Sequence, residues 1–176
     1  LGLSRSTNRN PDDMTEDDRP FRPCVGILLL NAQGQVFVGA RNDISGDHWQ
    51  MPQGGIDEGE EPREAAFREM EEEIGTRNAE IVAEHPDWVH YRLPPELAQT
   101  AWKGRYQGQM QRWFAFRFLG SDDEINIATE HPEFRDWKWA DLQNIAAQTI
   151  EFKRSAYEEI RDAFHEVAQE IKREAL

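Results

Sequence analysis

The chain has 176 residues and a formal net charge of −14, enough length for one domain with its own core and no disulfides. That charge excludes nonspecific coating of nucleic acid, duplex DNA included, because such binding needs a basic surface. The single cysteine, Cys24, excludes an intramolecular disulfide and a Cys-based zinc site.

Residues 1–19 are polar and contribute only −2 to the net charge, so they are expected to form a disordered tail ahead of a single domain spanning 20–176. Met14 is a candidate natural start, which would make residues 1–13 upstream sequence. Val25–Leu30 reads as a buried strand holding Cys24 at its edge, Asn31–Gly34 as a turn, and Gln35–Ala40 as a second strand with Val36 and Val38 facing alike. Gly54 and Gly55 make a tight loop in which main chain can approach a ligand without an intervening side chain. Pro62 suits the first turn of a helix and Gly75 its C-terminal cap, with Ala66, Phe67, Met70 and Ile74 as the apolar stripe. Ala79–Val82 and Trp88–Tyr91 suggest strands, and Met110–Leu119, alternating around Trp113, Phe114, Phe116 and Phe118, is the best central strand. Trp137–Trp139 is a short strand. From Phe152 onward, Ala156, Ile160, Phe164, Val167 and Ile171 keep helical spacing and predict a long amphipathic C-terminal helix. No apolar run reaches membrane-spanning length and no signal peptide is visible, so a cytoplasmic location is expected; oligomeric state stays open.

On the first helix Glu69, Glu72 and Glu73 stand at i, i+3 and i+4, so their carboxylates converge on one face. Like charges at this spacing cost ~0.2–0.5 kcal/mol per pair, and they sit in the half of the helix whose dipole disfavours anions. A bound hard cation offsets that repulsion. Clustered oxygen ligands without Cys or His fit Mg²⁺ or Mn²⁺, which share their coordination sphere with phosphate oxygens. The bland alternative is a solvated acidic face.

Gly54, Glu60, Arg68, Glu69, Glu72, Glu73 and Gly75, with Met70 between the glutamates, resemble the Nudix box, G-x5-E-x7-R-E-U-x-E-E-x-G-U, where U is bulky and apolar. Every fixed position matches; only the last U departs, being Thr76. At average residue frequencies such a match arises by chance about once in 10⁸ windows, relaxed about tenfold by the Glu-rich composition. The resemblance implies a hydrolase of diphosphates linked to another group, built as an α/β fold: a mixed β-sheet in an α/β/α sandwich with the long C-terminal helix on one side. It further implies that Glu69, Glu72 and Glu73 hold the metal, that the Gly54 carbonyl is a ligand, and that Arg68 orients a catalytic glutamate. Glu60 reads as structural rather than catalytic.

Three further stretches narrow the activity: Trp49–Gly55 with Gln53 between Pro52 and the double glycine, Gln107–Phe114, and Asp123–Asn126. With Pro132-Glu133-Phe134, Trp137 and Phe152-Lys153-Arg154 they resemble bacterial RNA 5′-pyrophosphohydrolases and plant-type dinucleoside tetraphosphate hydrolases. The resemblance implies RNA 5′ ends as substrate, with dinucleoside polyphosphates as alternates. A dedicated dinucleoside tetraphosphate hydrolase is the second reading and a Nudix-fold binding module without turnover the third. Glu124, in the acidic turn Asp122–Glu124, is expected as a further ligand or base facing the box, or else as a solvated loop residue. Gln53, Gln109 and Gln111 are expected to line the cleft, and Arg41 to meet a terminal phosphate or base. Phe152 either stacks a base beside the phosphate-binding cations Lys153 and Arg154, or opens the apolar stripe of the last helix. Among the histidines only His48, beside Trp49, is expected near the site.

Overall fold

A computed structural model describes residues 17–176; of the tail expected over 1–19, residues 1–16 lie outside the described residues. Residues 17–19 are held to the domain rather than loose. Arg19 pairs with Asp17 and donates from Nη1 to the carbonyls of Ala98 and Gly104 at 2.8 and 2.9 Å.

Seven strands form one sheet: β1 (Phe21–Leu30), β2 (Val36–Arg41), β3 (Gln53–Gly55), β4 (Ala79–Glu84), β5 (Val89–Arg92), β6 (Gly108–Phe118) and β7 (Phe134–Ala140). The centre is the parallel pair β1 and β6, in register from Phe21 opposite Gly108 to Leu30 opposite Arg117. Every other pairing is antiparallel. β1 carries β3 along its first half and meets β2 at Leu30 and Val36, while β6 carries β5 and then β4 on its outer edge. β7 extends the sheet beyond β2. Central strands covered on both faces need unbroken apolar runs, and Cys24–Leu30 is buried at every position. Burial also pushes the Cys24 thiol up to about 11, so it is an inert core residue.

Four helices accompany the sheet: α1 (Pro62–Ile74), α2 (Pro95–Thr100), α3 (Ile145–Gln148) and α4 (Arg154–Glu174). α1 lays Ala66, Met70 and Ile74 against Ile27, Leu29, Phe114 and Phe116. α4 lays Ala156, Ile160, Phe164, Ala168 and Ile171 on the other face, against Leu28, Leu30, Trp113 and Ala115. The result is the three-layer sandwich expected from the sequence. α1 ends as its sequence requires: Gly75 adopts φ 76°, and its N–H donates to Glu71 O at 3.0 Å. Phe152 lies in a 3-10 turn, Glu151–Lys153, and the long helix proper begins at Arg154. Among the described residues no helix is long and apolar enough to cross a membrane.

Candidate active site

The starts of β1 and β6, the end of β2, the β3 strand and the polar side of α1 meet at one end of the sheet. There the structure opens a cleft of about 540 Å³ lined by Arg68, Glu69, Glu72, Glu73, His131 and Glu133, among others. An adjoining hollow of about 320 Å³ shares three box glutamates and Glu133 and adds Arg22, Arg41, Gln50, Gln53, Gly54 and Gln109.

Arg68 is the organiser of the acidic side. Its guanidinium grips Glu60 through Nε and Nη2, both at 2.8 Å, donates to Gly55 O at 2.8 Å, and reaches Glu69 at 2.9 Å and Glu72 at 3.2 Å. One planar fork thus ties β3, the loop before α1 and the helix itself. Glu60 has the structural part: Arg68 and the Asp57 N–H hold its carboxyl down to about 2. Gly54 is required by close approach, since a Cβ there would fall 2.0 Å from Glu69 Cδ.

Helix geometry sorts the three glutamates. Glu72 is 57% exposed at its side chain, Glu69 is tucked under Arg68, and Glu73 is only 6% exposed. Glu73 Oε2 has no hydrogen-bond partner among the described residues. Burial raises the Glu73 carboxyl well above its ordinary range, with Glu69 and Glu133 adding to the effect. Burial likewise raises Glu69 to about 7, against the pull of Arg68. As placed, no three acidic or imidazole side chains among the described residues already surround a common point; Glu69 is turned to Arg68 instead. The site nonetheless suits a hard divalent cation: the donors are all oxygens, one buried oxygen is orphaned, and Gly54 leaves main chain open beside Glu69.

These carboxyls make the metal-free protein pH-sensitive. Both keep their proton to higher pH when folded than when unfolded, so between about pH 4.5 and 7 the folded state binds more protons. The stability these carboxyls contribute is therefore fully present at the acid end, and the share of Glu69 is lost as pH rises through about 7. In EDTA the melting temperature should fall across this window, by about 2–4 °C for each kcal/mol lost, and more in the wild type than in Glu69→Gln. Identical pH slopes in the two proteins would show that Glu69 ionises as freely as an exposed carboxylate.

The structure sorts the other expected residues. Gln53 and Gln109 line the hollow, but Gln111 is 1% exposed and lies beneath it. Arg41 lines the hollow while paired to Asp43 through Nε and Nη2 at 2.7 and 2.5 Å. Lys153 is buried behind Gln50, donating from Nζ to its Oε1 at 3.0 Å, and desolvation lowers its ammonium to about 7. Phe152 is half-buried against Tyr91, ring centroids 5.9 Å apart, in the packing of the α4 face. Arg154 is exposed and lines neither space. His48 borders only a small hollow beside Arg41 and Trp49, and the histidine that lines the main cleft is His131, against the expectation that His48 alone lies near the site.

Glu124 corrects the expectation. It lies by the C-terminal end of α1, where Asn78 Nδ2 donates to its Oε2 at 3.0 Å, and it lines neither space. Side chains on a helix lean toward its N-terminus, so the box carboxylates point away from that end. The acidic residue that does join them is Glu133, just ahead of β7. Antiparallel pairing of β2 with β7 sets Phe134 opposite Arg41, and Asn42 N–H donates to Glu133 O at 2.9 Å. Sequence reasoning also missed Arg22, whose guanidinium lies 5.1 Å from the Trp102 ring centroid and fills the space above Gly55.

A family profile described as NUDIX domain matches residues 20–161. A protein of Wolbachia pipientis subsp. Culex pipiens, named RNA pyrophosphohydrolase, is 48% identical over 155 residues, 88% of this chain and 95% of its own. One of Rhodospirillum rubrum with the same name is 57% identical over 141 residues, 80% and 85% of the two chains. Among solved structures, the E. coli dihydroneopterin triphosphate pyrophosphohydrolase has a TM-score of 0.62 at 21% identity, covering 82% of this chain and 99% of its own. A C. elegans Ap4A hydrolase binary complex has 0.56 at 18%, covering 81% and 96%. These structures show the shared fold. With a domain match over most of its length and relatives about half identical, the chain belongs to the Nudix family.

Proposed function

We propose that the chain is a Nudix pyrophosphohydrolase that removes pyrophosphate from triphosphorylated RNA 5′ ends, or phosphate from diphosphorylated ones. The observation that carries this reading is the set of relatives named RNA pyrophosphohydrolase, about half identical over 80–88% of this chain and 85–95% of theirs. The cleft supports it, since it pairs an acidic wall with Arg22 and Arg41 at the rim of the same space.

Glu69, Glu72, Glu73 and Glu133, with the Gly54 carbonyl, would hold the divalent ions that Nudix hydrolases generally use, proposed here as Mg²⁺ with Mn²⁺ able to replace it; bound there, such ions neutralise phosphate charge and acidify a water. Hydrolysis consumes one water: its oxygen joins a phosphorus, the bridging P–O bond to the leaving phosphate group breaks, and a proton passes to a carboxylate. One of the carboxylates gathered at the cleft accepts that proton. Arg68 keeps Glu69 in place from behind, and Arg22 and Arg41 supply the cationic rim for the phosphate chain. With RNA 5′ ends as substrate, the cytoplasm is the proposed location.

Turnover measured side by side with Mg²⁺ on triphosphate RNA, diphosphate RNA and diadenosine tetraphosphate tests the reading. The expected result is the highest kcat/KM on an RNA end. A kcat/KM at least ~10-fold higher on diadenosine tetraphosphate, a difference of about 1.4 kcal/mol in transition-state binding, would make dinucleoside polyphosphates the proper substrate.

A further inference from the structure

Beneath the cleft floor, β6 places Gln109, Gln111 and Trp113 on one face, two residues apart. Trp113 lies across β1 because its partner there is Gly26, where a Cβ would fall 2.3 Å from Trp113 Cε2. Its indole Nε1 can only donate, and it sits 2.9 Å from Gln111 Oε1. The oxygen of that buried amide must therefore face the indole, which turns its nitrogen the other way. Gln111 Nε2 then donates to Gln109 Oε1 at 2.8 Å and to Gln53 Oε1 at 3.1 Å. Both outer amides are thus acceptors toward Gln111. Gln53 Nε2 is engaged within the protein, by the Tyr91 hydroxyl at 3.4 Å and Gln109 Oε1 at 3.5 Å. Gln109 Nε2 donates to nothing among the described residues, although Gln109 is only 4% exposed and borders the hollow with Arg22, Gly54 and Glu69.

We propose that Trp113 and Gln111 are positioning residues that fix Gln109 with its amide nitrogen toward the cleft, so that the floor offers N–H donors to a non-bridging phosphate oxygen of the substrate. The opposite amide orientation would set an oxygen against the phosphate and leave a buried donor of Gln111 without a partner. The phosphate assignment rests on the functional reading above, because Arg22 and the box glutamates share the hollow with Gln109.

Steady-state kinetics on triphosphate RNA of Gln111→Met, Gln109→Ala and the double variant tests it. Gln111→Met keeps the length and removes both donors. Its KM should rise about 5- to 10-fold, the size of one lost hydrogen bond, with kcat held within about 2-fold, and it should add nothing in the Gln109→Ala background. An unchanged KM in a folded Gln111→Met, or an equal rise with and without Gln109, would overturn the proposal. A second measurement needs no variant to fold and no RNA turnover. In the ¹⁵N side-chain amide spectrum of the wild type, inorganic triphosphate with Mg²⁺ should shift the Gln109 pair and leave the Gln111 pair protected from exchange. Gln109 signals that stay in place at saturating triphosphate would equally overturn it. Loss of RNA turnover by the wild type would instead count against the functional reading, with the amide shifts still deciding the orientation of Gln109.

Discussion

Glu73→Gln should lower kcat on triphosphate RNA at least ~10²-fold while the protein stays folded. That is the loss expected when one preorganised electrostatic contact is removed, about 2.7 kcal/mol of barrier. Glutamine keeps the size of the side chain, so packing beside Met70 and Ile74 is preserved. What disappears is the ability of the buried, unpartnered Oε2 to bind a cation or take a proton. In EDTA above pH 7 the variant should melt at or above the wild-type temperature, because it no longer has to bury a carboxylate beside Glu69 and Glu133. The two readouts move in opposite directions, which a mere loss of stability cannot produce. Near-normal Mg²⁺-dependent turnover on every candidate substrate would take Glu73 out of the site.

The parts of this site that could be read in the sequence are those whose geometry is local. Pro62, Gly75 and the apolar positions between them fix α1, and helical spacing alone brings Glu69, Glu72 and Glu73 to one face. The family resemblance added Arg68 and Gly54, and the structure shows why both residue types are needed: the fork that joins Glu60, Gly55 and Glu69, and the missing Cβ. Sheet pairing was not legible. Gln109 and Gln111 alternate identically in sequence, yet one borders the hollow and the other lies beneath it, tied under the amides of Gln53 and Gln109. For Phe152 the sequence left base stacking and the apolar stripe both open, and the structure sets the half-buried ring on Tyr91; Lys153, expected as a phosphate-binding cation, is buried behind Gln50 by a 3-10 turn. The helices α2 and α3 escaped notice because six and four residues carry too little periodicity.

Glu133→Gln should lower kcat on triphosphate RNA by about 10- to 10²-fold, whereas Glu124→Gln should stay within about 2-fold of wild type. Both residues are acidic, and the sequence favoured Glu124. Position decides between them. Glu133 borders both spaces that hold the box glutamates, and its charge reaches far enough to raise the Glu73 carboxyl. Its place is set by backbone, through the Asn42 N–H and the pairing of β7 with the strand that carries Arg41, so a glutamine there changes charge without freeing the loop. Glu124 is engaged by Asn78 at the far end of α1, and Asn126 N–H caps that helix at Ile74 O, 2.9 Å away. Removing the Glu124 charge therefore touches a helix end and not the phosphate chain. The Mg²⁺ concentration for half-maximal rate should rise for Glu133→Gln and stay unchanged for Glu124→Gln, because only the first loses an oxygen anion facing the cation site. The reverse pattern, a Mg²⁺-hungry Glu124→Gln beside an unaffected Glu133→Gln, would return Glu124 to the ligand set and require the turn at Asp122–Glu124 to swing over α1 when substrate binds.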